Sequence, residues 1–178
     1  MLSQKRVALQ GGTWLPQPRE LAPFRLTDLR GGPFDNRSLL GHASLVFFGY
    51  SSCPDVCPAT LATIQAVLRH APIAGLQVLF VTIDPERDSP AALSTYLRAF
   101  DATLIGLYGS AGALASLEKS LGARADRHDG PAGASRFDHT ATLYLLDGRG
   151  RMAAVFTPPI TAAVLSADLH ALAQASIL

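Results

Sequence analysis

Phe47-Phe48-Gly49-Tyr50-Ser51-Ser52-Cys53-Pro54-Asp55-Val56-Cys57-Pro58-Ala59-Thr60-Leu61 contains both cysteines of the chain. The run leading into it, Ser44-Leu45-Val46-Phe47-Phe48, is short, apolar and partly aromatic, and predicts a buried strand that Gly49 brings to an end. From Thr60 to Arg69, Leu61, Ile64, Val67 and Leu68 recur at the spacing of one helix face. The cysteines are therefore expected in a strand-to-helix loop. Proline suits the first helical position, has no N–H to donate and drives the residue before it out of helical geometry, so Pro58 predicts Cys57 at the N-cap. A sulfur there faces the positive end of the helix, which favours thiolate over thiol. Three intervening residues allow the two sulfurs to close a disulfide or to share one soft metal ion, and the spacing does not choose between these.

The rest of the chain sets bounds on that chemistry. With 178 residues the chain is the size of one domain with a proper core, and 48% apolar composition with a formal net charge of +1 argues against disorder and against a nucleic-acid partner. No stretch reaches the ~18 uninterrupted apolar residues of a membrane span, and residues 1–10 are too short and polar for a signal peptide. A stapled secreted domain has more cysteines, and a bridge closing so small a loop removes little chain entropy, so the pair points to redox or metal chemistry.

Residues 1–23 read as an extended N-terminal arm, with Trp14 and Leu15 docking on a domain that occupies 24–178. Phe24 to Thr27 alternates and then turns at Gly31-Gly32, predicting a hairpin, and Asn36 to Gly41 a single helical turn. Leu76 to Ile83 has the near-continuous apolar look of a central strand, parallel to the first through the cysteine helix. Ser89-Pro90 starts a helix reaching Phe100, Thr103 to Tyr108 is a strand, and Ser110 caps a helix that Gly122 stops. Arg124 to Arg136 reads as an irregular strand and then a mobile surface loop. Thr140 to Leu146 and Met152 to Phe156 are strands joined by an Asp147-Gly148-Arg149-Gly150 turn, and a last helix runs from about Thr161 to Ala175 with Val164, Leu165, Leu169 and Leu172 inward. The sum is α/β with a mixed central sheet, an N-terminal β-hairpin and an α/β insertion, the element order of a thioredoxin-like fold.

A metal held by two thiolates needs further donors, and histidine is the commonest supplier. His42 reads as a loop residue, His70 and His170 as helix residues, and His128 falls in the weakly patterned stretch. His139 differs because Phe137-Asp138-His139-Thr140 leads into a central-looking strand; its plain alternative is a strand-edge histidine bonded to backbone. Asp138 either orients the His139 ring or faces water. Asp84, Glu86, Arg87 and Asp88 cluster where α/β sheets place their sites, with Asp84 a further outer partner for metal; as solvated charges in a helix-leading loop they have an equally plain account.

Phe48-Gly49-Tyr50 with Cys53-Pro54-Asp55-Val56-Cys57-Pro58, then Val81-Thr82-Ile83-Asp84-Pro85-Glu86-Arg87-Asp88-Ser89-Pro90, then Asp138-His139-Thr140, resemble in order and spacing the signatures of the Sco/SenC family. The resemblance runs from about Phe24 to the last helix. It implies a copper protein of thioredoxin fold that helps assemble the binuclear copper centre of cytochrome c oxidase. Cys53 and Cys57 then supply sulfur and His139 nitrogen to one copper(I) or copper(II) ion per chain. The implied partners are a copper-accepting oxidase subunit and another copper chaperone as donor, and the implied location is the periplasmic face of the inner membrane, reached through an anchor preceding these residues. Ser51-Ser52 departs from the Thr-His that often precedes the first cysteine, and Ala59 from a frequent acidic residue. These departures bear on partner contacts and leave the three ligands in place.

A reading of a different class uses Cys53 and Cys57 as a redox pair that reduces cysteines of the target subunit, a thiol-disulfide oxidoreductase. A peroxidase shares the fold, but its Thr-x-x-Cys pattern does not occur here. A redox sensor is the remaining alternative.

Overall fold

The structure, a computed structural model, describes residues 7–129, 135–139 and 141–178; the side chains of 126, 127, 129 and 135–139 fall outside that description. The fold is built around β4 (Ala43–Gly49), whose residues are all buried. Both faces of this strand are covered, which explains why its sequence is a continuous apolar run without alternation. The chain leaves β4 through the cysteine loop, forms α1 (Val56–His70) and returns as β5 (Leu76–Thr82), parallel to β4 with Phe47 beside Phe80, Phe48 beside Val81 and Gly49 beside Thr82. Helix α1 buries Cys57, Leu61, Ile64 and Val67, one stripe at spacings of three and four.

A second crossover through α2 (Pro90–Arg98) leads to β6 (Ile105–Tyr108), parallel to β5. Helix α3 (Ala111–Leu121) follows. The Ser89, Ser110 and Thr161 hydroxyls accept the N–H groups of Ala92, Ala113 and Val164 at the starts of α2, α3 and α4 (Ala162–Gln174). These are the N-caps that propensity predicts. Gly122 ends α3 at φ +73°, left-handed backbone that a glycine adopts freely.

The remaining strands complete one sheet of eight. Strand β9 (Leu143–Leu146) runs antiparallel to β4 on its other side and turns through Asp147 into β10 (Met152–Phe156), while the hairpin β2 (Arg25–Asp28) and β3 (Pro33–Asp35) extends the sheet beyond β6. With β1 (Gly12–Arg19) outermost, the order β1-β10-β9-β4-β5-β6-β2-β3 makes the sheet mixed. A 3-10 turn at Asn36–Leu39 lies where a single helical turn is expected, and α1 packs against α4.

Three expectations are revised. The extended stretch after Gly11 is part of the sheet: β1 (Gly12–Arg19) pairs antiparallel with β10, and Trp14 and Leu15 pack on the core. Pro16 and Pro18 suit an outermost strand, where one side of the backbone has no ladder to complete. The arm is tied by Asp168, 1% exposed on α4, whose carboxylate accepts the N–H groups of Gln10, Gly11 and Gly12 at 2.6, 2.9 and 2.8 Å. Second, of the strand expected over Thr140 to Leu146, Thr140 lies outside the described residues and the strand runs Leu143–Leu146. Third, β7 (Ala125–Asp129) and β8 (Ser135–His139) pair as a separate two-stranded sheet, whose polar sequence gives no apolar alternation to read. The loop expected between them lies, at residues 130–134, outside the described residues.

Candidate metal centre

The side-by-side registry of Gly49 and Thr82 sends the cysteine loop and the Asp84–Asp88 loop off neighbouring carboxyl ends of the sheet. The Ile83 N–H donates to the Gly49 carbonyl at 2.9 Å, holding the two exits together. Beyond Gly49 the chain turns at Tyr50, and the Cys53 N–H donates back to the Tyr50 carbonyl at 3.2 Å. Helix α1 then begins at Val56 with Asp55 as its N-cap, so Cys57 is the second helical residue and not the cap. Pro58 is third. Its missing N–H costs nothing there, because the first turn has no intrahelical acceptors and the helical ladder starts with Ala59 donating to Asp55.

This shift of two residues means that the sulfur receiving a first-turn N–H is not the one expected. Cys57 is fully buried, and it is Cys53, partly exposed, whose Sγ accepts a first-turn N–H, that of Cys57, at 3.4 Å. Burial, then a hydrogen bond to the neighbouring Cys53 sulfur, push the Cys57 thiol well above the ordinary range, with a backbone hydrogen bond at Tyr50 pulling the other way. For the unliganded, reduced pair, burial thus works against the thiolate expected at Cys57. Desolvation outweighs the helix end. Neither cysteine is in a disulfide, and the two are in contact through that hydrogen bond, which leaves them open to a bridge or to a shared ion.

The loop is pinned from the β5 side. Asp88, 2% exposed, accepts from the Ser51 N–H at 3.1 Å, from the Ser51 hydroxyl, and from the Thr82 hydroxyl at 2.6 Å. Asp84, 1% exposed, is engaged elsewhere: Arg87 Nε donates to it at 2.6 Å, and its own N–H donates to Thr82 Oγ1 at 3.0 Å. The residue gripping the cysteine loop is therefore Asp88. Its sequence signal is only its place in the acidic run; the Ser51 that completes the bond is 37 positions away.

Gly49 answers a packing need. A Cβ there would lie 2.9 Å from two carbons of the Phe80 ring and 3.0 Å from Cys57 Sγ, both on residues with no exposed surface. Gly49→Ala is expected to cost about 1–3 kcal/mol through overpacking. The measurement is a lower denaturant midpoint at unchanged m-value; a variant as stable as its parent would show that the sulfur and ring have room to retreat.

Of the histidines, His42, His70 and His128 are exposed, and His70 ends α1, roughly 20 Å along the helix from Cys57 by the α-helical rise. His139 closes β8 opposite Ala125. The side chains of His139 and Asp138 lie outside the described residues. Among the described residues no three His, Cys, Asp or Glu side chains gather as a metal-binding set, and no helix is long and apolar enough to cross a membrane.

A mixed sheet flanked by helices, with a Cys-x-x-x-Cys pair between a central strand and the first turn of its helix, defines a thioredoxin-like protein with a dithiol site. Comparison with known proteins narrows this. The SCO1/SenC family model matches residues 14–174, and the chain belongs to that family. It is 34% identical over 134 residues to an SCO2-like protein of Rickettsia prowazekii, covering 72% of this chain and 65% of that one. It is 33% identical over 158 residues to the mitochondrial SCO2 homolog of Danio rerio, covering 83% and 55%. The chain thus spans less than two thirds of the length of these relatives. Among solved structures, Bradyrhizobium japonicum ScoI with copper bound superposes with a TM-score of 0.76 at 39% identity, over 84% of this chain and 96% of that one.

Proposed function

We propose that this chain binds one copper ion through the sulfurs of Cys53 and Cys57 and the imidazole of His139, and delivers it to the subunit of cytochrome c oxidase that holds the binuclear copper centre. The observation carrying this reading is the pair of unbridged sulfurs in mutual contact, one buried and one reachable, at the carboxyl ends of β4 and β5. Copper(I) is soft and favours thiolate, and two sulfurs with one nitrogen make a low-coordinate set suited to it. Ligation makes thiolates of both cysteines and releases their protons to solvent, so the ion supplies the charge that a buried Cys57 otherwise lacks. Asp138 has the role of orienting the His139 ring, and Asp84, held by Arg87, remains at most an outer partner. The similarity to a ScoI structure that contains copper supports the choice of metal. A second copper chaperone serves as donor, and an anchor preceding these residues holds the domain at the periplasmic face of the inner membrane.

The unequal burial of the two cysteines supports a second activity of the same site. Cys53, as thiolate, attacks a disulfide of the target subunit, forming a mixed disulfide and releasing one target thiol; Cys57 then attacks the Cys53 sulfur, releasing the second target thiol and leaving this chain oxidised. His139 separates the two readings. Under anaerobic titration with copper(I), the reduced parent is expected to bind one equivalent tightly, while Cys53→Ser, Cys57→Ser and His139→Ala each lose at least tenfold in affinity. His139→Ala is expected to keep Cys53–Cys57 oxidation largely intact. Parental copper affinity in that variant removes His139 from the ligand set.

A further inference from the structure

Strand β6 enters the sheet with Ile105 beside Leu79, so the loop that feeds it lies toward the amino ends of the parallel strands, while the cysteine loop leaves their carboxyl ends. At that opposite end a cleft of about 530 Å³ opens between the β2–β3 turn, the last turn of α2 and the loop from α2 into β6. Its floor is apolar. A Cβ on Gly106 would come 2.5 Å from Leu29 Cδ1 and 2.8 Å from Leu97 Cδ1, so leucines from two elements meet over bare backbone, with Phe34, Leu104 and Ile105 beside them. Leu29, Leu104 and Ile105 keep part of their surface exposed to the cleft's solvent. A volume of this order and an apolar lining with a few charged groups are what sites for small organic molecules have. Arg30 on the β2–β3 turn and Arg98 at the end of α2 line the cleft and are exposed, and neither guanidinium has a hydrogen-bond or ion-pair partner among the described residues. Two carboxylates also line it, and each is turned into its own loop. Asp28 Oδ1 accepts the N–H groups of Arg30 and Gly32 at 2.8 and 2.9 Å, and Asp101 Oδ1 accepts the N–H and the hydroxyl of Thr103 at 2.9 and 2.7 Å.

We propose that this cleft is a binding site for a small amphiphilic carboxylate, with its apolar body on the floor made by Leu29 and Leu97 and its charged head held by Arg30 and Arg98. The site shares no residue with the cysteine loop and stands or falls apart from the metal binding proposed there. Charge complementarity sets the sign of the ligand. Each lining carboxylate already spends one oxygen on donors of its own turn, whereas both guanidiniums keep all their N–H donors free, in a fixed fork that matches a carboxylate with two bonds. A solvated arginine pair alone holds an anion weakly. The apolar wall beside it changes this, because a ligand body laid on the leucines removes water from both surfaces and from one side of the ion pair. A small mineral anion has no such body, and a neutral alcohol has no head for the arginines.

The test titrates the reduced full chain with octanoate and follows backbone amide chemical shifts. Saturable shifts are expected within residues 28–34 and 98–106, with a Kd at or below about 1 mM. Octylammonium reverses the head charge, octanol removes it and acetate removes the body. Each is expected to bind about fivefold more weakly than octanoate, or worse. Arg30→Gln and Arg98→Gln are each expected to weaken octanoate roughly three- to tenfold, and the double variant to lose saturable binding. Because both arginines are exposed and unpaired, the thermal midpoints of these variants are expected to stay within about 2 °C of the parent. Shifts that remain linear in octanoate concentration, or that saturate only elsewhere in the chain, overturn the proposal. Equal affinity for octylammonium overturns it as well, since Asp28 and Asp101 would then decide the ligand's sign, and so does a double variant that binds octanoate as tightly as the parent.

Discussion

Asp88→Ala is expected to lower the thermal midpoint by roughly 6–12 °C, the shift that a loss of about 3 kcal/mol produces in a chain of this size. The carboxylate is buried and takes the Ser51 N–H, the Ser51 hydroxyl and the Thr82 hydroxyl together. Truncation leaves these donors without an acceptor, and Thr82 has no exposed surface through which water can replace it. The bond also fixes one end of the cysteine loop against β5. If the loop holds copper, affinity for copper(I) is expected to fall by about tenfold or more, beyond what the lost stability accounts for, because the sulfurs are no longer pre-positioned. Asp88→Asn keeps the shape and one acceptor oxygen, and is expected to fall between parent and alanine in both measurements. A midpoint within 1 °C or so of the parent for Asp88→Ala would falsify this account of the loop, since that is below even a single lost hydrogen bond.

The second large effect concerns a residue of α4. Asp168→Ala removes the acceptor for three consecutive backbone N–H groups, those of Gln10, Gly11 and Gly12. The arm then keeps its ladder to β10 and the packing of Val7, Leu9, Trp14 and Leu15 on the core. A loss of about 3–4 kcal/mol is expected, read as a lower unfolding midpoint. Amide exchange should rise first in residues 10–14 while β4 and β5 stay protected. Uniformly faster exchange through the central strands would mean that Asp168 secures the whole sheet and not its outer strand.

What the sequence makes legible follows from where each signal sits. Ser89-Pro90, Ser110 and Gly122 mark helix ends through local hydrogen bonds or a single backbone angle, so a short window contains the whole cause. Strand β4 and helix α1 are equally plain, because burial on both faces or on one stripe writes its own period into the residues. Cys57 is misplaced by two positions since proline is tolerated anywhere in a first turn, and Pro58 alone cannot say which place it takes. Asp168 gives no local sign at all: its partners lie more than 150 residues earlier, and an aspartate on an amphipathic helix ordinarily faces water. Tyr96 reads as an apolar position of α2, which its ring is, while the burial of its hydroxyl depends on residues beyond that helix, and helical spacing does not report it. The pairing of β7 with β8 rests on backbone bonds between polar strands, and side-chain pattern carries little of that.

The outer strands of the sheet have one more implication. On one side runs β1 with Pro16 and Pro18 and a break in register between Trp14 and Arg19; on the other runs β3, three residues long and opening on Pro33. Neither offers an incoming chain a flat row of free amides on which to lengthen the sheet. The eight-stranded sheet is thereby guarded at both rims against growth by an added strand, while the ground beside Cys53, with exposed Pro54, Asp55 and Val56, lies open to solvent at loop tips instead.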